Sequence, residues 1–286
     1  MTTNPVPAPA AHLLLGAYLR ALCATNAVDV DHLAGCLGRD SDWITEPGSQ
    51  PGPPPEQFTA LLSLLGVTPS AINSARALLT PSPHPHRLID AAPGWAARLA
   101  ACEHAAHTLR ICAPLTVPGI VQTPADAEAL ATALPQHAIE AGPSASRLPP
   151  PDHPQHITLV LNEAVLLTEV GGPDVMAERT CILQQLADDG RLDLRILPQH
   201  RGLLPRSLRE MTLPPHGHHL YADGDQGPLY VSGPPAACAS LRQILDNAIS
   251  VAAGPEDSRR LLQKHRQHYE EQRLRQMLPG SPTTDR

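Results

Sequence analysis

At 286 residues the chain is long enough for two domains. Its apolar content of 42% suffices for buried cores, but aromatics make up only 2%, so Leu, Ala, Val and Ile must fill the interior. The net charge of −7 gives no general attraction to nucleic acid or to an anionic membrane. No run approaches the ~18 apolar residues of a membrane span. Six cysteines lie far apart without a C-x-x-C pair, which reads as buried thiols in a reducing cytosol.

Leu15, Tyr18, Leu19 and Leu22 recur at helical spacing and predict a first helix. Leu13-Leu14-Leu15 could suggest a secretion signal, but a basic lead is lacking and Arg20 interrupts the apolar stretch. Asp29 is the expected N-cap of a second helix carrying Leu33, Ala34 and Leu37, with Gly38 as its closing glycine. Arg39 to Thr45 opens a third helix, which Pro47 should end, because a proline inside a helix costs roughly 3 kcal/mol. A proline-rich loop leads to a fourth helix from Glu56 to Leu65.

The proline-punctuated stretch 81–87 reads as a linker between a domain at 1–80 and a second at 88–275, with a tail at 276–286. In the second domain, Ile157 to Leu161 and Leu192 to Leu197 predict strands, Pro173 to Leu186 a helix, and Leu229 to Val231 a short strand. Long helical patterns follow from Pro235 to Val251 and from Pro255 to Met277. The expected class is α+β: an N-terminal five-helix bundle of helix-turn-helix type plus a mixed α/β C-terminal domain.

The run Asp31-His32-Leu33-Ala34-Gly35-Cys36-Leu37-Gly38, followed by Trp43-Ile44-Thr45, resembles the XRE (lambda-repressor-like) helix-turn-helix domain. Pro114-Leu115-Thr116-Val117-Pro118-Gly119-Ile120-Val121-Gln122-Thr123-Pro124 is similar to a segment of the C-terminal domain of unknown function in actinobacterial XRE-type regulators. Leu161-Asn162-Glu163-Ala164-Val165-Leu166 and Val170-Gly171-Gly172-Pro173-Asp174-Val175-Met176 resemble the next blocks of that domain. Ile196-Leu197-Pro198, Leu229-Tyr230-Val231 and Gly254-Pro255-Glu256-Asp257-Ser258 match later landmarks in order. The resemblance implies a cytoplasmic transcription regulator, a small partner protein encoded nearby, and Arg39, Ser41, Trp43 and Thr45 as positions facing DNA. A homodimer is a further expected assembly. The single lysine among 21 basic residues, with abundant Ala and Pro, fits a GC-rich actinobacterial genome.

Charge argues against strong DNA binding. Residues 1–70 hold Arg20 and Arg39 against Asp29, Asp31, Asp40, Asp42, Glu46 and Glu56, a balance of −4, whereas duplex readers gain affinity by neutralising phosphates. The aromatics that usually follow Ile196-Leu197-Pro198 are replaced by Gln199-His200-Arg201-Gly202-Leu203.

Glu163, after an apolar strand, is the candidate general base or ligand anchor; the bland alternative is a cap or an ion-pair partner for Arg179 or Arg195. Val117, Gln122 and Glu163 are expected to line one apolar, aromatic-poor cavity for a small ligand. His216-Gly217-His218-His219 lacks a fourth ligand at fixed spacing, so no metal is expected. No phosphate loop or hydrolytic motif is present, and no cofactor is expected. Two readings follow: a diverged regulator acting through a small-molecule- or partner-binding domain, or a regulator scaffold repurposed as a biosynthetic enzyme acting on an apolar substrate.

Overall fold

The computed structural model describes residues 8–42, 53–133, 155–214, 217–225 and 227–277. It has an N-terminal helical region and a mixed α/β domain built on a seven-stranded sheet, an α+β architecture.

Helix α1 (Ala10–Thr25) is followed by α2 (Val30–Cys36), α3 (Pro55–Leu64) and α4 (Pro69–Ala77). Asp29 caps α2 by accepting a hydrogen bond from the Asp31 amide at 3.2 Å. Past its end, Gly38 adopts φ +63°, the Gly38 amide bonds the Gly35 carbonyl, and the Arg39 amide bonds that of Ala34. This is a Schellman closure, which the left-handed glycine permits. Of the predicted third helix, Arg39 to Ser41 form a bend and turn and Asp42 is helical, while Trp43, Ile44 and Thr45 lie outside the described residues.

Strand β1 (Arg87–Ile89) leads to α5 (Trp95–Ala105) and β2 (Thr108–Ala113). Next come α6 (Pro124–Ala133), β3 (His156–Asn162), the single turn α7 (Ala164–Leu167) and α8 (Gly172–Asp188). The chain continues through β4 (Asp193–Leu197), β5 (Leu208–Leu213), β6 (His218–Asp223), β7 (Leu229–Ser232), α9 (Ala239–Val251) and α10 (Pro255–Met277). The strand order is β1-β7-β6-β5-β2-β3-β4. β2, β3 and β4 are parallel and joined by helical crossovers; the other pairings are antiparallel.

Alternation along the strands divides two cores. Leu109, Ile111, Leu159, Leu161, Leu194, Ile196, Met211 and Leu220 join one core with residues of α1, α5 and α8. Cys112, Val160, Leu197, Leu208 and Tyr221 face the other, under Leu245 and Ala248 of α9. α1 therefore shares its core with the sheet, and it packs directly on α5. The stretch 81–87 ends inside the sheet, since Arg87 pairs with Val231 across β1 and β7. At the edge, Arg98 of α5 makes two hydrogen bonds to Asp90, at 2.8 and 2.7 Å, both residues buried.

The opposite edge is closed by the connection into α10. The Ala253 amide donates to the Ile196 carbonyl at 2.8 Å, and the Ile196 amide donates to Ser258 Oγ at 2.9 Å. Ser258 is fully buried, so the Gly254-to-Ser258 landmark covers the backbone groups that an edge strand would otherwise leave open.

One polar cluster lies on the α9 face of the sheet. Register places Glu210 of β5 opposite Arg110 of β2 and Tyr221 of β6. Glu210 accepts from Arg110 Nε at 2.6 Å and from the Tyr221 hydroxyl, with His219 Nδ1 at 3.4 Å; Arg110 also bonds Asp246 of α9 at 2.6 Å. Burial alone would raise the Glu210 carboxyl, but the hydrogen bonds from His219 and Tyr221 and the Arg110 charge outweigh it and bring the carboxyl down to about 2, from an ordinary 4.5.

A folded-state value below the unfolded one means that ionised Glu210 stabilises the fold above pH 4.5 and that this contribution is lost as pH falls toward 2. The size is on the order of 3 kcal/mol. Glu210→Gln should lower the melting temperature at pH 7 and flatten the loss of stability between pH 4.5 and 2, measured by urea unfolding across that range.

Candidate functional site

In sheets with parallel strands, ligands gather beyond the carboxyl ends of those strands. Here those ends are Ala113, Asn162 and Leu197. The segment after β2 turns through a 3-10 helix at Gly119–Val121, and Gln122 Nε2 donates back to the Val117 carbonyl at 2.6 Å. Gln122 thus clamps its own loop. Thr123 and Asp126 then form a capping box: the Asp126 amide donates to Thr123 Oγ1 at 3.0 Å, and the Asp126 carboxylate faces the Thr123 amide at 3.5 Å.

Val117, buried in this loop, lines a cavity of about 320 Å³. Its walls are Leu115 and Thr116 from the same loop, Leu130 and Ala133 of α6, Val165 of α7, and Thr168, Glu169 and Val170 ahead of α8; Arg179 of α8 completes it. Gly171, at φ +81°, allows the approach of α6 to the start of α8. A Cβ there would lie 2.5 Å from Ala129 Cβ and 2.9 Å from Val175 Cγ2. Pro173 sits in the first turn of α8, as the sequence suggests.

Arg179 is 3% exposed and donates through Nε to Asp126 at 2.6 Å and through Nη1 to Met176 Sδ at 3.0 Å. Burial raises the Asp126 carboxyl above its ordinary range, and the Arg179 charge offsets only part of that rise.

Glu163 serves a different place. Its amide donates to the Leu197 carbonyl at 3.0 Å, linking β3 to β4. Its Oε2 accepts from the Gln199 amide at 3.1 Å, and its Oε1 faces His265 Nε2 of α10 at 3.2 Å. The expected partners are taken elsewhere: Arg179 by Asp126, and Arg195 by Asp193 at 3.0 Å. Glu163 lines a separate, more open cleft of about 580 Å³ with Pro198, His200, Arg201, Ala253, Asp257, Arg260, Leu261 and Lys264.

The three residues expected in one cavity are therefore apart. Val117 lines the apolar cavity, Glu163 the basic-rimmed cleft, and Gln122 lines neither. The reason is local, because residues two apart on a helical turn point to nearly opposite sides, and Glu163 and Val165 straddle α7 in this way. Asp126, Arg179 and His265 completed the arrangement without being singled out as site residues. Signals existed: a T-x-x-D box, an arginine between Met176 and Leu183 at helical spacing, and a histidine between Leu262 and Tyr269.

Of the expected DNA-facing residues, Arg39 and Ser41 follow α2, both half-buried, and Trp43 and Thr45 lie outside the described residues. His216 also lies outside them. His219 is on β6 beside Glu210, and among the described residues no group of three or more His, Cys, Asp or Glu could hold a metal. Among them, too, no single helix is long and apolar enough to cross a membrane.

The family described as a domain of unknown function, DUF5753, matches residues 96–264, from the start of α5 into α10. The chain belongs to that family. No curated protein and no solved structure matches the chain.

The His265–Glu163 contact pins α10 over the carboxyl end of β3, with side chains 7% and 15% exposed. Glu163→Ala and His265→Ala should each cost about 1.5–3 kcal/mol, the range for a hydrogen bond to a charged group. In a double-mutant cycle by denaturant unfolding the double variant should cost less than the sum, with a coupling of about 0.5 kcal/mol or more.

Proposed function

We propose that the chain is a diverged regulator of the XRE type, in which the α/β domain binds a small molecule and contact with DNA is weak or lost. The observation that carries this reading is the 320 Å³ cavity beyond β2 and β3, walled by Leu115, Val117, Leu130, Val165 and Val170 and, among the described residues, without an aromatic side chain in its lining. Its size falls at the lower end of ligand sites, and its lining combines apolar walls with few polar groups, as such sites do. The Schellman turn after α2 supports a helix-turn-helix ancestry. The −4 balance over residues 1–70 supports the loss of phosphate contacts. In this reading the protein works beside a small partner encoded nearby in an actinobacterial cytoplasm.

A repurposed biosynthetic enzyme is the second reading. It is favoured by one observation: Glu163, at the wall of the 580 Å³ cleft, is paired with the buried His265 imidazole, an arrangement suited to proton transfer. Glu163→Gln would then abolish turnover of a substrate while leaving ligands of the smaller cavity unaffected.

Two measurements test the leading reading. A thermal-shift screen of the full chain against small metabolites should find compounds that raise the melting temperature, an effect that Val117→Trp, which fills the cavity, removes. Electrophoretic shifts with the duplex upstream of its own gene at ~0.15 M salt should show no nanomolar complex, the affinity expected of a working specific reader. Compounds that act equally on Val117→Trp, or a nanomolar DNA complex, would overturn it.

A further inference from the structure

The apolar cavity has one buried cation with donors to spare. Guanidinium carries five N–H donors in a planar fork and has no acceptor. Arg179 spends Nε on Asp126 and one Nη1 hydrogen on the weak acceptor Met176 Sδ, while its Nη2 makes no hydrogen bond among the described residues. A guanidinium hydrogen not already taken is open to an acceptor that fills the space in front of it. Arg179 lines the cavity, so that space is the one walled by Leu115, Val117, Leu130 and Val165.

The two ends of the cavity differ in charge. Asp126, on the far side of Arg179, is fully buried and fixed by its capping box, so it neutralises the cation without occupying the cavity. Glu169 lines the cavity too but is exposed to solvent. An occupant therefore meets a donor fork at the inner end, aliphatic walls along its length, and a negative charge toward solvent.

We propose that this cavity binds an aliphatic monocarboxylate, whose carboxylate takes the unused Nη hydrogens of Arg179 while its chain lies against Leu115, Val117, Leu130 and Val165. Carboxylate is the group that matches a guanidinium fork with two parallel hydrogen bonds. Absence of aromatic rings from the walls suits a flexible alkyl chain rather than a planar ring system, which gains most from stacking. Glu169 disfavours a second carboxylate at the outer end. This assignment rests on the reading of the α/β domain as a ligand-binding module and adds the chemical class of its ligand.

The test is calorimetric titration of the full chain with octanoate, octanol, octylamine and the dicarboxylate suberate. Octanoate should bind at least about tenfold more tightly than each of the others, the least expected from charge-assisted hydrogen bonds. Arg179→Met alone leaves Asp126 buried without its counterion, so the companion variant Arg179→Met/Asp126→Asn keeps the site neutral. In that double variant octanoate should lose its advantage over octanol. Val165→Phe, which fills the cavity and leaves the Arg179–Asp126 pair in place, should weaken octanoate at least about tenfold.

Equal binding of octanol and octanoate, or an undiminished octanoate preference in the double variant, overturns the carboxylate assignment while the ligand-binding reading stands. Octanoate binding that Val165→Phe leaves unchanged places the acid elsewhere and overturns the assignment as well. If none of the four probes binds the parent, the assignment falls; if the metabolite screen also finds no compound sensitive to Val117→Trp, the ligand-binding reading falls with it.

Discussion

Strand β2 has parallel strand β3 on one side and antiparallel β5 on the other, and the seam between β2 and β5 is where the two halves of the sheet meet. Hydrogen bonding by the backbone closes the ladder, but Glu210 fixes what lies across it. Its carboxylate takes Arg110 from one strand and Tyr221 from the other neighbour, and Arg110 in turn reaches Asp246 on the helix above. A charge buried on both sides of a sheet seam would be costly without such partners. With them, β2 is tied to β5, β6 and α9, and the loop that leaves it at Pro114 places Val117 in the cavity wall.

The cavity and the cleft follow from that fixed edge by separate routes. Around the cavity, α6 and α8 approach closely because Gly171 has no Cβ, and the Asp126–Arg179 pair holds the two helices across the gap. Around the cleft, α10 is held by Glu163, by Ser258 on the edge of β4, and by the Tyr269 hydroxyl on the Leu166 carbonyl at 2.7 Å. Leucine, valine and alanine fill most of both cores. Such side chains leave gaps that bulky rings would have closed, which is consistent with an open pocket in a chain with seven aromatic residues.

Much of the fold was legible where polarity followed periodicity. The caps at Asp29 and Gly38, strands β3, β4 and β7, and helices α8, α9 and α10 all announce themselves by spacing. Strands β2, β5 and β6 did not, because Arg110, Arg209, Glu210 and the histidines resemble solvent-facing residues until register brings them together. Arg209, for example, is buried against Glu103 of α5 at 2.6 Å, a partner 106 residues away. The site was legible to the same degree. Position at a strand end marked Glu163, but its contact with His265 spans 102 residues and leaves no local trace. Gln122 drew notice as a polar group in an apolar loop, yet the loop needed it for its own closure.

The edge where β7 ends has a consequence for biosynthesis. Ser232 Oγ donates to the Ala8 carbonyl at 2.8 Å, a contact across 224 residues, and Ala10 donates to the Pro85 carbonyl beside it. Ribosomes add roughly 5–20 residues per second, so the start of α1 waits about 10–45 s for the partner that locks it. During that interval α1, whose Leu13, Leu14, Leu15 and Leu19 all end up buried, is covered in turn by α2, β1 and α5 and only later by the completed sheet edge. The nascent chain thus carries an apolar helix ahead of its final seat, sheltered by its own N-terminal neighbours until the sheet edge is made.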